Sequence, residues 1–189
     1  MSSDAKPAPA ETNESDTKAK RKIVQCRTGD GGLFEVPLNV ISQAGTFAQM
    51  YSDLQLGAKS AAPFEFPMPA VSAKVFEELV EFCEQRIGVP EPVIEREPPT
   101  FCAKWFELND FEKNFLEVKS VPELKELWMA ARYLDIKSVC LFVPQEIATR
   151  LIPLVGDNKK VLEFLNEPDD LSEEEKSARS KKNIWLKYC

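Results

Sequence analysis

"KIVQCRTGDGGLFEVP", residues 22–37, decides how the fold begins. Two short runs rich in Ile, Val, Leu and Phe flank Asp30-Gly31, a dipeptide suited to the tight turn that reverses a strand. Gly32, which has no Cβ, is free to take positive φ there. A hairpin is therefore predicted. Downstream, "VISQAGTFAQMYSDL" (40–54) reads as two short helical pieces parted near Gly45. "PFEFPMP" (63–69) then supplies a third strand, and its prolines, which cannot donate to a ladder, put that strand at a sheet edge. The order is β, β, α, α, β.

The cleanest helical pattern follows in "VSAKVFEELVEFCEQR" (71–86). At about 100° per residue, Val71, Val75, Phe76, Leu79, Val80, Phe82 and Cys83 fill a stripe nearly half the circumference wide, the width needed to pack on a sheet and on other helices. Residues 88–109 carry four prolines and many charges, so a long loop is predicted. Phe101, Trp105 and Phe106 are too apolar for an ordinary linker; they either fold back on the core or serve a partner. Helical pattern resumes at 111. Pro122 suits a first-turn position, and Leu124, Leu127, Trp128, Ala131 and Leu134 line one face of the next helix. Met129 and Tyr133, four residues apart, fall on the opposite side. Asp135 can cap a following helix over 136 to about 151. Pro144 lies inside that helix, lacks the N–H its neighbour's carbonyl expects, and predicts a kink or break.

Residues 1–20 have almost no large apolar side chain and are predicted to stay disordered. "KAKRK" (18–22) reads either as a nuclear address or as a solvated basic flank before the first strand. At the other end, Ser172 and Glu175 have the spacing of a capping box, with acids in the first turn and lysines in the last, which signals a final helix. Between Ser172 and Lys182 its one apolar residue is Ala178, after which Ile184, Trp185, Leu186 and Tyr188 crowd together. Such a helix gains little from its own domain. Its aromatic end points to a binding partner, the alternative being a loosely docked surface helix.

Composition excludes much. Lys+Arg 24 against Asp+Glu 31 gives a formal charge of −7 over 189 residues, a field that repels nucleic acid and anionic membranes. With no histidine, a Ser-His-Asp or Cys-His nucleophile, an HExxH zinc site and a histidine base are all ruled out. "GDGG" (29–32) matches no phosphate-cradling motif, and neighbouring acids such as Glu77 and Glu78 diverge on a helix, so no small-molecule substrate is expected. The five cysteines are widely spaced without a CxxC, which suits free thiols in a reducing compartment and neither a zinc site nor a disulfide framework. No apolar run approaches the roughly 20 residues that span a bilayer, and no signal-peptide core stands at the N-terminus. Cytoplasm and nucleus are the expected locations, with no cofactor and no metal.

Taken in order, "DGGLFEV" (30–36), "FPMPAVSAKVFEELVEFC" (66–83), "NFLEV" (114–118), "AARYLDIKSV" (130–139), "DLSEEE" (170–175) and "NIW" (183–185) resemble the Skp family (S-phase kinase-associated protein), adaptor subunits of SCF ubiquitin ligases. The resemblance runs from about Ile23 to Trp185. It implies an α/β fold of BTB/POZ type, a three-stranded sheet with surrounding helices over 21–151, with a C-terminal helical F-box-binding extension over 152–189. It also implies a non-catalytic adaptor that bridges a cullin scaffold to F-box substrate receptors for protein ubiquitination. On the cullin side it gives Arg132 and Tyr133, beside which Met129 lies by helical phase. On the F-box side it gives Leu171, Ser172, Asn183 and Trp185, with Ile184 and Tyr188 added from their apolar character. Departures also show: Arg132 stands where the family usually has asparagine, residues 154–170 keep a short amphipathic helix (Val161, Leu162, Phe164, Leu165) but not the family's wording, and Pro144 is unexpected. The chain reads as a divergent paralogue. A BTB/POZ interaction scaffold outside ubiquitin ligases is the second reading, and an enzyme using cysteine or carboxylate chemistry is a distant third.

Overall fold

The computed structural model describes residues 22–54, 64–99 and 102–183. Strands β1 (Ile23–Thr28) and β2 (Leu33–Pro37) form the predicted antiparallel hairpin, and β3 (Glu65–Met68) pairs parallel to β1, giving the order β2-β1-β3 with β3 at an edge. Alternation along β1 buries Val24, Cys26 and Thr28 and exposes the residues between them, as a sheet with one covered face requires.

The turn departs from the expectation in one residue. Gly31, not Gly32, takes the positive φ, at 88°. Gly32 is needed for space instead: a Cβ on it would lie 2.8 Å from the Thr28 hydroxyl and 3.0 Å from Ala73 Cβ. Asp30 explains the crowding. Its carboxylate accepts from the Thr28 hydroxyl (2.5 Å) and from the backbone N–H of Ala73 (2.9 Å), the first residue of helix α3 (Ala73–Gln85). Those two donors, the Thr28 hydroxyl foremost, hold the Asp30 carboxyl below the ordinary carboxylate range. The hairpin turn thus serves one of the unsatisfied donors at the start of α3, whose own Ser72 makes no side-chain cap.

Packing divides the chain into two compact units. The first holds the described residues up to Val89 together with Tyr133–Ile136. Besides the sheet it contains α1 (Leu38–Ile41), α2 (Gly45–Asp53) and α3, so the two pieces predicted around Gly45 are present. The α3 stripe buries Val75, Phe76, Leu79, Phe82 and Cys83, with Phe76 edge-on to Phe34 and Phe47 edge-on to Phe66. Residues 133–136 close this unit. The Gly45 N–H donates to the Asp135 carbonyl (3.1 Å) and the Thr46 hydroxyl to the Tyr133 carbonyl (2.9 Å). Asp135 sits in the left-handed region at φ 56°, and a Cβ on Gly45 would fall 2.2 Å from its carboxylate oxygen. Gly45 is there because a side chain would not fit.

The second unit takes Pro90–Arg132 and the described residues from Lys137 on. It contains the short pair β4 (Arg96–Glu97) and β5 (Cys102–Ala103), then α4 (Asp110–Glu117), most of α5 (Val121–Leu134), α6 (Lys137–Leu151), a 3-10 turn (Ile152–Leu154), α7 (Asn158–Leu165) and α8 (Glu173–Lys182). The loop expected over 88–109 therefore holds a small hairpin. Asn109 and Glu112 make a reciprocal capping box on α4, and Arg150 closes its other end by donating to the carbonyls of Leu116, Glu117 and Lys119.

Of the kink or break expected at Pro144, the break does not occur, since α6 runs through it. The carbonyl that Pro144 cannot serve belongs to Cys140, and the Trp128 indole N–H of α5 donates to that oxygen at 3.2 Å. A donor from a neighbouring helix replaces the missing one.

Candidate functional site

Helix α5 has two unlike faces. Leu124, Leu127, Ala131 and Leu134 are fully buried, whereas Met129 is 60% exposed, Tyr133 39% exposed and Arg132 open to solvent. Tyr133 follows Met129 by four residues, so both stand on the outer side of the helix where helical phase put them. The three cullin-side candidates are thus neighbours on one exposed helical surface. Arg132 is not merely solvated: its guanidinium lies over the Trp128 ring, 5.0 Å from the centroid. Trp128, which the sequence reading placed only on the apolar face, therefore links Arg132 on one side to the Cys140 carbonyl on the other. The signal that was available is its spacing, four residues before Arg132.

The F-box-side candidates fall around α8. Ser172 is its N-cap. The Ser172 hydroxyl accepts from the Glu175 N–H (3.3 Å), and the Glu175 carboxylate accepts from the Ser172 N–H (3.0 Å). These bonds, the Ser172 N–H first, hold the Glu175 carboxyl below its ordinary range. Lys176 reaches back to Asp169 (2.6 Å), bracing the approach to the helix. Leu171 is half-buried just before the cap, and Asn183 stands at the C-cap. No residue of α8 is buried. Ile184, Trp185 and Tyr188 lie outside the described residues, as does Phe101. The amphipathic helix read at 161–165 is α7, which Asp157 caps by accepting from the Lys160 N–H and which Asn166 ends in the left-handed region.

Burial pushes the Cys26 and Cys83 thiols up to about 12, so both are neutral at physiological pH and unfit as nucleophiles. A cavity of about 10 Å³ beside Phe76, Leu79 and Leu134 is lined by apolar side chains, room for roughly one water and not for a substrate. Among the described residues no group of three acids or cysteines is placed to hold a metal, and no helix is long and apolar enough to cross a membrane.

No protein-family model matches the chain. Among curated proteins it is 28% identical over 122 residues to the S-phase kinase-associated protein 1 homolog of Tetrahymena thermophila, covering 64% of this chain and 71% of that one. It is 27% identical over 168 residues to SKP1-like protein 10 of Arabidopsis thaliana, covering 87% and 96%. To the SCF ubiquitin ligase complex protein SKP1b of Dictyostelium discoideum it is 23% identical over 163 residues, covering 86% and 94%. Similarity of one kind, at 23–28% identity, is spread along most of the chain and reaches a ciliate, a plant and a slime mould, so the chain is similar to Skp1 proteins over most of its length.

Proposed function

We propose that the protein is a non-catalytic adaptor of a cullin-based ubiquitin ligase, bridging a cullin to F-box substrate receptors. The carrying observation is the near full-length similarity to proteins named for the SCF complex. Within this reading the three-stranded sheet and its helices are of BTB/POZ type, residues 21–151 form that domain, and 152–189 form the F-box-binding extension. Met129, Arg132 and Tyr133 meet the cullin. Leu171, Ser172 and Asn183, with Ile184, Trp185 and Tyr188, meet the F-box. Its mechanism is positioning: holding a substrate near a ubiquitin-charged enzyme raises the effective concentration of the reacting groups, and no bond is made or broken on the adaptor. Such a role needs neither a cofactor nor a small-molecule substrate, and the acidic charge disfavours nucleic acid and membrane. Cytoplasm and nucleus are where it would act.

Two features support two separate surfaces. The outer face of α5 carries large apolar groups in water, and α8 is built from capping and charge without burying any of its own residues. The test is a pull-down of the purified chain against panels of cullins and F-box domains, repeated after deleting residues 170–189. The deletion is expected to abolish F-box binding and leave cullin binding intact. Failure of the full chain to bind any member of either panel would refute the adaptor reading and leave the BTB/POZ scaffold outside ubiquitin ligases as the function.

A further inference from the structure

Tyr133 is the next-to-last residue of α5, where a helix ordinarily frays and where the last carbonyls have no partner in their own helix. In the first unit, to which Tyr133–Ile136 belong, those groups are met from the start of α2. The Thr46 hydroxyl donates to the Tyr133 carbonyl (2.9 Å) and the Gly45 N–H to the Asp135 carbonyl (3.1 Å). The need is mutual. Ala44, the N-cap of α2, has no side-chain acceptor, so the first donors of α2 find partners outside their own helix. The positive end of α2 thus meets the negative end of α5, and the helix dipoles add to the bonds.

The Tyr133 ring has no such anchor of its own. Among the described residues no hydrogen bond or ring pair holds its side chain, which is exposed. Its direction is inherited from the backbone, because the rotamers open to a helical side chain are set by the local φ and ψ. Two things fix that backbone. Leu134 and Ile136, both buried, set how deep the segment lies, and the bonds from Gly45 and Thr46 set how its peptide planes turn. Of these bonds, the one from Thr46 acts on Tyr133 itself. Thr46 is exposed, so its hydroxyl can be removed without opening the core.

We propose that Thr46 is a positioning residue for the cullin contact: its hydroxyl holds the end of α5 so that the Tyr133 ring stands ready on the surface, and cullin affinity depends on Thr46 through Tyr133. The inference rests on the adaptor reading and deepens it. A tyrosine already held by its backbone loses little freedom on binding, which is the advantage of a preorganised contact. Were the end of α5 free to turn, the competent arrangement would exist for a fraction of the time, and the affinity would fall by that fraction.

A double-mutant cycle on the full chain, with binding to each cullin of the panel measured by biolayer interferometry, tests the proposal. Thr46→Val keeps the shape and removes the hydroxyl. It is expected to weaken cullin binding roughly threefold to tenfold, the equivalent of one lost hydrogen bond. F-box binding by the same preparation should stay unchanged, which shows that the variant folds. Thr46→Ser keeps the donor and should bind cullin within about twofold of the natural chain. In a Tyr133→Ala background Thr46→Val should have almost no further effect, since the hydroxyl acts through the ring. A role in stability alone would lower the urea midpoint and leave binding in the absence of urea unmoved. That result overturns the proposal, as does an equal loss with and without Tyr133, which would make Thr46 a direct contact. Failure of the natural chain to bind any cullin refutes the adaptor reading itself, and the positioning role falls with it.

Discussion

Helices α5 and α8 show two ways for a helix to exist. Helix α5 buries one face completely and holds its outer face in register by that burial. Helix α8 buries nothing and stands on its ends: a reciprocal cap, three glutamates in the first turn, and Arg179, Lys181 and Lys182 in the last. The first is stabilised through packing, the second through local hydrogen bonds and the dipole. A surface on α5 is therefore fixed before any partner arrives, whereas one built around α8 gains its stability with the partner.

The sharpest test of that contrast is Leu127→Ala, which leaves a hole beneath a fully buried side chain and is expected to cost roughly 2–5 kcal/mol in urea denaturation. Ala178→Ser on α8, where no residue is buried, should leave the urea midpoint unchanged. Next is Trp128→Phe, which removes the donor to the Cys140 carbonyl and should cost roughly 1–3 kcal/mol. In a Pro144→Ala background the helix supplies its own donor, so the same change should cost clearly less; an equal cost in both backgrounds would separate the indole from the proline. Ser172→Ala is expected to lose about 1 kcal/mol from α8 alone. Hydrogen exchange should rise at α8 amides and not at α5, with the global midpoint unmoved. Acid should act at the same place. The folded Glu175 carboxyl lies below its unfolded value, so its contribution is present above the unfolded pKa and lost as pH falls through the folded one. Protection of α8 is expected to fade across that acid range before protection of α5. The smallest effect is Arg132→Asn, which removes an exposed cation–π contact worth about 0.5–1 kcal/mol and should move the midpoint only slightly. A change in cullin binding much larger than that would mark Arg132 as an interface residue, and no change would mark it as a cover for Trp128.

Most of the fold was legible where one side chain's character decides its place. The β-prone runs around the Asp30-Gly31 turn gave β1 and β2, the stripe of Val75, Phe76, Leu79, Phe82 and Cys83 gave α3, and the Ser172–Glu175 spacing gave the cap of α8. What escaped depends on groups far apart in sequence. Nothing local says that Asp30 will serve the N–H of Ala73 and crowd Gly32, or that Gln145 will hold the backbone of Phe106 and so organise β4 and β5. Pro144 shows the same limit: the carbonyl that it leaves without a donor in its own helix is met by an indole on another. On the candidate surfaces, phase alone placed Met129 and Tyr133 outward, while the environment of Arg132 needed coordinates.

The bond from Trp128 to the Cys140 carbonyl also bears on the order in which this sequence can have been assembled. A proline entering position 144 first would strand a partly buried carbonyl, at roughly 1–3 kcal/mol, a serious share of a small domain's stability. A tryptophan entering position 128 first strands nothing, because the carbonyl still has its own helix and the indole is a bystander. Tryptophan is thus the permissive step and proline the contingent one. Once both are present, reverting Trp128 first is the harmful move, so the way back, like the way in, has an order: the proline must leave before the tryptophan.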